Sequence, residues 1–423
     1  MNILFFPWRD VNIIKKEGLR TREANILKGL NEGQHNILLI NRINNFELVK
    51  NIMSSKSIST QKNILTVKKS RKNVYQYNEL VNTKSIEWKN AINPKGNRIE
   101  SLSIINQYLT RKILKLIKTQ NWSKDKEIIL WSTDVSRIFL VKRLKEILCE
   151  SGYKVITVFD MIDNLEEHSS YSQNMKTKFS VMYKEWDNIS DLVFSGSQKN
   201  IEKFKKTSFK RHYANGVDQA RFLMPNYNDN PTTERKIKFV YTGIVEKRID
   251  TELLQELVDN LKKNKINFEI NIYGPIIDKE VFENLKKIEQ VFLHGPVEYE
   301  KIPDILNKND IALVPHVVNE FTLSMSPLKI YEYLAARKNI VMTNIPPYKD
   351  LSHLQNVKVS FNNKEFIEHS LYFCENIENL KTMVDESKIN KLLEEYDWTK
   401  IANNMIRDIK NLIKSNHKEV LSN

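Results

Sequence analysis

The chain has 423 residues, 41% of them hydrophobic and 28% charged, which is too long for one ordinary core and too apolar for disorder, so two α/β domains of roughly 200 residues each are expected. Its net charge of +14 suits either the codon bias of an AT-rich genome or anionic partners, and no zinc-finger spacing, aromatic RNA-binding signature or basic tail directs that charge to nucleic acid. No run approaches the roughly 18 apolar residues of a spanning helix, and Cys149 and Cys374 are too far apart in sequence to suggest a disulfide framework or thiol metal site.

In chain order, short β-rich runs alternate with helix-length segments, the pattern of parallel sheets covered by helices on both faces. Strands are expected at 3–6, 36–40, 64–67, 128–131, 155–159 and 192–195, with helices between them at 21–30, 102–117 and 135–148. Turn formers at Pro225, Asn226, Asn228, Asp229, Asn230 and Pro231 place a linker at 225–232, between a domain at 1–224 and another at 233–400. The alternation then restarts, with strands expected at 237–241, 268–273, 291–294, 311–314, 340–343 and 357–359. Glycine is scarce, only 10 residues, yet Gly243, Gly274 and Gly295 each follow a strand run directly, where open α/β sheets bind ligands.

The most informative stretch is 319–336. Ser326 followed by Pro327 predicts a helix start, the hydroxyl capping a free N–H and the proline at the first helical position. Such a helix presents unpaired N–H groups and its positive dipole end, the arrangement that binds phosphate. Lys329 adds a full charge in the first turn. Glu332 stands about 4.5 Å farther along the same side, where a carboxylate can accept hydrogen bonds from both ribose hydroxyls. Leu328, Tyr331, Leu334 and Ala335 are left to bury the opposite face.

Ser326-Pro327-Leu328-Lys329, then Tyr331-Glu332-Tyr333-Leu334-Ala335, resembles the signature of the retaining GT-B glycosyltransferases, above all the bacterial cell-wall and capsule group of teichuronic-acid and exopolysaccharide synthesis, the group 1 glycosyl transferases. The likeness runs over 159–413 and is weaker in the first 150 residues. It implies an α/β GT-B fold: two Rossmann-like, doubly wound parallel-sheet domains facing a deep cleft, with a terminal helix at 401–423 crossing back to the first domain. It implies an enzyme of the cytoplasm, or of the inner face of the plasma membrane, that moves a sugar from a nucleotide-diphosphate sugar, UDP-sugar favoured, to a glycan, lipid-linked or protein-linked acceptor. Retention of anomeric configuration is implied as well, with no metal and no cofactor.

Carried over residue by residue, the likeness puts the donor diphosphate on Ser326, Pro327, Leu328 and Lys329 and the ribose on Glu332. Gly243, Lys247 and Arg248 fall on the first loop of the donor domain, where relatives set basic residues against the diphosphate, and Gly274 on the next strand end. Gly18, with Arg20 and Arg22 beyond it, falls on the first flexible loop. Asp160 and Asp163 stand where relatives present a polar residue to the donor sugar, so the expected catalytic set is Asp160, Asp163, Arg248 and Lys329. Asn215-Gly216-Val217-Asp218 matches a mainly structural turn, and His294 reads as a packed strand-end histidine. One departure is clear: many retaining members carry a second glutamate eight residues before the ribose glutamate, and here that residue is Ser324. Two rival readings are a nucleotide-sugar 2-epimerase and a non-catalytic GT-B subunit supporting a partner transferase.

Overall fold

A computed structural model describes residues 1–9, 20–33, 35–40, 65–69, 74–79, 99–120, 122, 127–223 and 236–422. The chain forms two compact units, one of Met1–Tyr213 with Ala402–Asn423 and one of Ala214–Ile401. The expected linker at 225–232 lies outside the described residues. The division falls earlier than 224 because residues just after Tyr213 already pack in the second unit. Val217 donates its N–H to the Tyr396 carbonyl at 2.8 Å, and Phe222 is buried edge-on against Tyr299.

In the first unit, β1 (Asn2–Phe6), β2 (Asn36–Ile40), β3 (Leu65–Lys69), β4 (Val74–Glu79), β5 (Ile128–Ser132), β6 (Val155–Met161), β7 (Leu192–Ser195) and β8 (Phe209–His212) lie in the order β3-β4-β2-β1-β5-β6-β7-β8. All neighbours run parallel except β3 with β4. Only residues 70–73 separate those two strands, too few for the crossover a parallel pair requires. Neither β4 nor β8 is among the strands expected from sequence. All five residues of β1 are buried, as a sheet covered on both faces demands. Trp131 lies between Phe5 and Phe194, 5.8 Å from each, and the helix Gln173–Ile189 lays Trp186 flat on Phe159 at 4.5 Å.

The second unit contains β9 (Ile237–Thr242), β10 (Phe268–Tyr273), β11 (Val291–Gly295), β12 (Ile311–Val314), β13 (Asn339–Thr343) and β14 (Val357–Ser360), all parallel in the order β11-β10-β9-β12-β13-β14. These are the six strands expected there. Counted within the unit the order is 3-2-1-4-5-6, so the winding reverses between β9 and β12 and leaves a crevice at their carboxyl ends. In the first unit the reversal lies between β1 and β5. Asp250 starts the helix Thr251–Lys263 by accepting the Leu253 N–H at 2.9 Å. Leu253, Leu254, Leu257, Val258 and Leu261 of that helix are buried, each contributing about 1.5–3 kcal/mol.

The last helix, Trp398–Ser422, starts in the second unit and counts with the first from Ala402 onward. A Cβ on Gly29 would come within 2.4 Å of the Ala402 Cβ, so the missing side chain there lets the helix Arg22–Glu32 approach it closely.

Candidate functional site

At the winding reversal of the second unit, β9 runs into Gly243 and β12 into Pro315 and His316. The helix Leu328–Ala335 is fixed over these strand ends at two points. The Tyr333 hydroxyl accepts the Thr242 N–H at 2.7 Å. Asn215 donates its N–H to Ser326 Oγ at 2.9 Å and its Nδ2 to the Ser326 carbonyl at 2.5 Å. The expected cap is therefore corrected: Ser326 is engaged with Asn215, Pro327 occupies the cap position without a side-chain bond, and the helix begins at Leu328. In that first turn Ile330 donates its N–H to the Pro327 carbonyl at 3.3 Å, while the N–H groups of Leu328 and Lys329 precede the first intrahelical acceptor by geometry.

Lys329 extends from this first turn. Its Nζ lies 3.8 Å from the centre of the Tyr241 ring and 3.4 Å from His316 Nε2. A Cβ at Gly243 would fall 2.6 Å from that Nζ, so the lysine occupies the space a side chain there would need. Gly243 has φ of +145° and Gly274 of +148°, and a Cβ on Gly274 would come within 1.9 Å of the Gly243 carbonyl oxygen. Gly274 is buried, and its lack of a side chain is explained by the meeting of two strand ends rather than by a ligand. His316 is 0% exposed and held well below the usual histidine range, first by burial and then by the charges of Lys329 and Arg248.

Arg248 is half-buried and ion-paired with the buried carboxylate of Glu246. Its guanidinium stands 5.6 Å over the Phe321 ring, with Nη1 3.7 Å from the Met325 sulfur. Lys247 is exposed. Glu332 is 8% exposed, not on an open face, because the helix is buried on nearly every side from Ile330 to Ala335, while Leu328, expected on the apolar face, is half-buried. Tyr299 is raised above the ordinary tyrosine range by burial first and then by Glu332, to which its hydroxyl is hydrogen-bonded. Ser324, at the position of the second glutamate of many relatives, is fully buried and donates to the Phe321 carbonyl at 2.7 Å.

In the first unit Asp160 is 0% exposed. Arg22 Nε reaches its two carboxylate oxygens at 3.1 and 3.0 Å, and Arg22 Nη2 lies 3.0 Å from Oδ1. Asp160 therefore holds an internal strut, not an open sugar contact, and Arg22 is the first residue of the helix Arg22–Glu32, where a helix at 21–30 was expected. Asp163 is half-buried beside a hollow lined by Trp8, Thr133, Phe159, Met161, Leu165 and Tyr183. At the winding reversal the Glu23 carboxylate accepts the N–H groups of Trp8 at 2.9 Å and Arg9 at 3.0 Å and the Thr133 hydroxyl at 2.9 Å. Burial pushes Glu23 up to about 7. Gly18 lies outside the described residues. His294 is exposed rather than packed away, with its ring stacked on Tyr273 at 4.2 Å.

Sequence reasoning gave no role to His316, Tyr241 or Glu23, and read Asn215 only as part of a mainly structural turn. The position of His316, two residues past a strand on the carboxyl side of the sheet, was the available signal. Asn215 and Ser326 are 111 residues apart, and no local pattern could join them. Among the described residues no three His, Cys, Asp or Glu gather as a metal cluster, and no helix is long and apolar enough to cross a membrane.

Residues 236–376 match the family model described as Glycosyl transferases group 1. A stretch of 65 residues is 32% identical to the putative teichuronic acid biosynthesis glycosyltransferase TuaH of Bacillus subtilis (strain 168), covering 15% of this chain and 16% of that relative's length. An E. coli structure described as trehalose-6-phosphate bound with UDP-2-fluoro glucose superimposes with a TM-score of 0.66 at 10% identity, over 97% of this chain and 99% of that one. The alpha,alpha-trehalose 6-phosphate synthase of Burkholderia multivorans gives 0.66 at 8% identity, over 98% and 99%. HepE of Anabaena, in complex with UDP and glucose, gives 0.61 at 11% identity, over 97% and 100%. The fold is thus GT-B, and the match to the group 1 glycosyl transferases covers residues 236–376, a third of the chain.

Proposed function

We propose that this chain transfers a sugar from a nucleotide-diphosphate sugar, UDP-sugar favoured, to a bacterial surface-glycan or glycoconjugate acceptor, with retention and without a metal ion. The observation that carries this reading is the placement of Lys329, in the first turn of a helix whose amino end stands over the winding reversal of the second unit and beside the side-chain-free Gly243. Breaking the bond between sugar and diphosphate leaves negative charge on the departing phosphate. Helix N–H groups, Lys329 and Arg248 would stabilise that charge as it develops. The match over 236–376 and the UDP and UDP-sugar named with the similar structures support the donor class. Gly243 serves by leaving room for the lysine, Ser326, Pro327 and Leu328 by setting the helix start, and Glu332, held by Tyr299, by facing the ribose. Lys247 adds exposed positive charge.

The acceptor class rests on the similarity to TuaH. A lipid-linked acceptor would bring the basic chain to the acidic inner leaflet of the membrane, in the cytoplasm. In the first unit, Asp163 beside the Trp8 hollow is the better candidate of the two aspartates to meet sugar hydroxyls. The test is incubation of the full chain with a panel of nucleotide sugars, with and without glycan acceptors and with a chelator present. Release of nucleoside diphosphate that requires acceptor and survives the chelator supports the reading. An isomerised sugar formed without acceptor establishes an epimerase instead, and the absence of both nucleotide binding and turnover leaves the non-catalytic subunit.

A further inference from the structure

The ammonium of Lys329 has an unusual pair of neighbours for a buried crevice: the ring of Tyr241 at 3.8 Å and the imidazole of His316 at 3.4 Å. Neither is an anion. His316 is fully buried, and burial first, then the charges of Lys329 and Arg248, pull it well below the usual histidine range, which favours the uncharged ring. A neutral imidazole has one nitrogen bearing a proton and one bearing a lone pair. The ammonium offers only protons, so an Nε2 that bonds it does so with its lone pair, and the ring proton is then on Nδ1. That Nδ1 is buried and has no hydrogen-bond partner. The ring thus keeps Nε2 toward Lys329 and Tyr241 at the cost of an unsatisfied N–H, a group that structures rarely leave buried. The Tyr241 hydroxyl, 3.3 Å from the same Nε2, can turn its own proton to the Ile244 carbonyl at 3.3 Å, which leaves Nε2 to the lysine.

We propose that His316 is a positioning residue for Lys329: its neutral Nε2 accepts from the ammonium and, with the Tyr241 ring, aims it past Gly243 at the terminal phosphate of a nucleoside diphosphate. A carboxylate in the same place would hold the lysine equally well but cancel the charge that phosphate binding uses. An imidazole and a ring face orient the cation without adding a negative charge of their own. The backbone of His316 also serves the fold, since its carbonyl accepts the Thr343 hydroxyl at 2.9 Å, and substitution of the side chain leaves that bond in place. The inference rests on the donor-site reading above and deepens it by assigning the orientation of the lysine to a residue that touches no substrate.

The experiment is calorimetry on the full chain with UDP, UMP and uridine, for the unsubstituted protein, His316→Phe, His316→Gln, Lys329→Ala and the double variant. If His316 acts through Lys329, His316→Phe weakens UDP about 10- to 100-fold and leaves UMP and uridine unchanged. His316→Gln, which keeps an acceptor near the Nε2 position, restores most of the UDP affinity. Adding His316→Phe to Lys329→Ala then costs nothing more, because the residue through which it acts is gone. Should His316→Phe fail to accumulate, His316→Met fills the space without a ring nitrogen, and the UDP-to-UMP ratio is read on it. UDP binding by the unsubstituted chain with an unchanged ratio in His316→Phe or His316→Met, or additive losses in the double variant, overturns the role of His316 alone. No UDP binding by the unsubstituted chain overturns the donor-site reading, and this role with it.

Discussion

Both units reverse their winding at one place in the sheet, between β1 and β5 in the first and between β9 and β12 in the second, and they fill the two crevices with opposite chemistry. In the first, the carboxylate of Glu23 takes the N–H groups of Trp8 and Arg9 that follow β1, and the nearby Arg22 is matched by Asp160 in a fully buried pair. Those two N–H groups, donors of the kind that a Rossmann-like crevice offers to phosphate, are satisfied from within. In the second, Lys329, in the first turn of the helix Leu328–Ala335, lies against the His316 imidazole and the Tyr241 ring and fills the space that a side chain on Gly243 would need. One topology therefore yields two differently lined crevices, one where the Glu23 carboxylate meets the backbone N–H groups that follow β1 and one where Lys329 stands beside His316 and Tyr241.

The contrast can be broken most forcefully at its internal pair. Asp160→Ala leaves the Arg22 guanidinium buried without its carboxylate, and chemical unfolding should show a loss of about 3–5 kcal/mol from the first unit. A loss below 1 kcal/mol would mean that the pair is not a strut.

Glu23 supplies the second test. Its pKa is 4.5 in the reference state and about 7 when folded, so the folded chain holds this proton more tightly than the unfolded chain does. The resulting stabilisation is complete below about pH 4.5 and is lost as pH rises through about 7, a change of roughly 3 kcal/mol at about 1.4 kcal/mol per unit. Unfolding free energies measured between pH 5 and 8 should fall by that order relative to Glu23→Gln, which cannot titrate. Parallel pH profiles would show that Glu23 ionises freely.

In the charged crevice, Lys329→Ala should lower kcat/KM by about 100-fold with little change in thermal midpoint, as removal of one donor to a developing anion does elsewhere. Steady-state kinetics showing less than about a threefold loss would remove the lysine from the mechanism. The mildest change is Asn215→Ala, which frees the Ser326 end of the helix. About a fivefold fall in kcat/KM is expected from the one hydrogen bond lost, that of Nδ2 to the Ser326 carbonyl, while the backbone N–H bond to Ser326 Oγ remains, and unchanged kinetics would show that the helix start is fixed by other contacts.

The alternation of strands and helices was legible because buried parallel strands need continuous apolar runs, and the inner strands of the second unit follow from that requirement, while the partly exposed edge strand β11 showed only as a short apolar run before His294 and Gly295. The strands β4 and β8 were not, since Val74–Glu79 and Phe209–His212 carry polar residues throughout. At the site, Lys329 and Arg248 stood out through local spacing and resemblance. The cap at Ser326 was misassigned because the partner that occupies its hydroxyl, Asn215, is distant in sequence. Asp160 was given to the sugar because a carboxylate at a strand end reads the same whether it faces a ligand or a buried arginine. Charge neutralisation inside a fold is a property of the tertiary contact, not of either residue.

The central claim is that the charged crevice of the second unit binds a nucleoside diphosphate through Lys329. Calorimetric titration of the full chain with UDP, beside Lys329→Ala under the same conditions, tests it most directly. Saturable binding that weakens at least tenfold in the variant is predicted; no binding, or equal affinity in the two proteins, would contradict it.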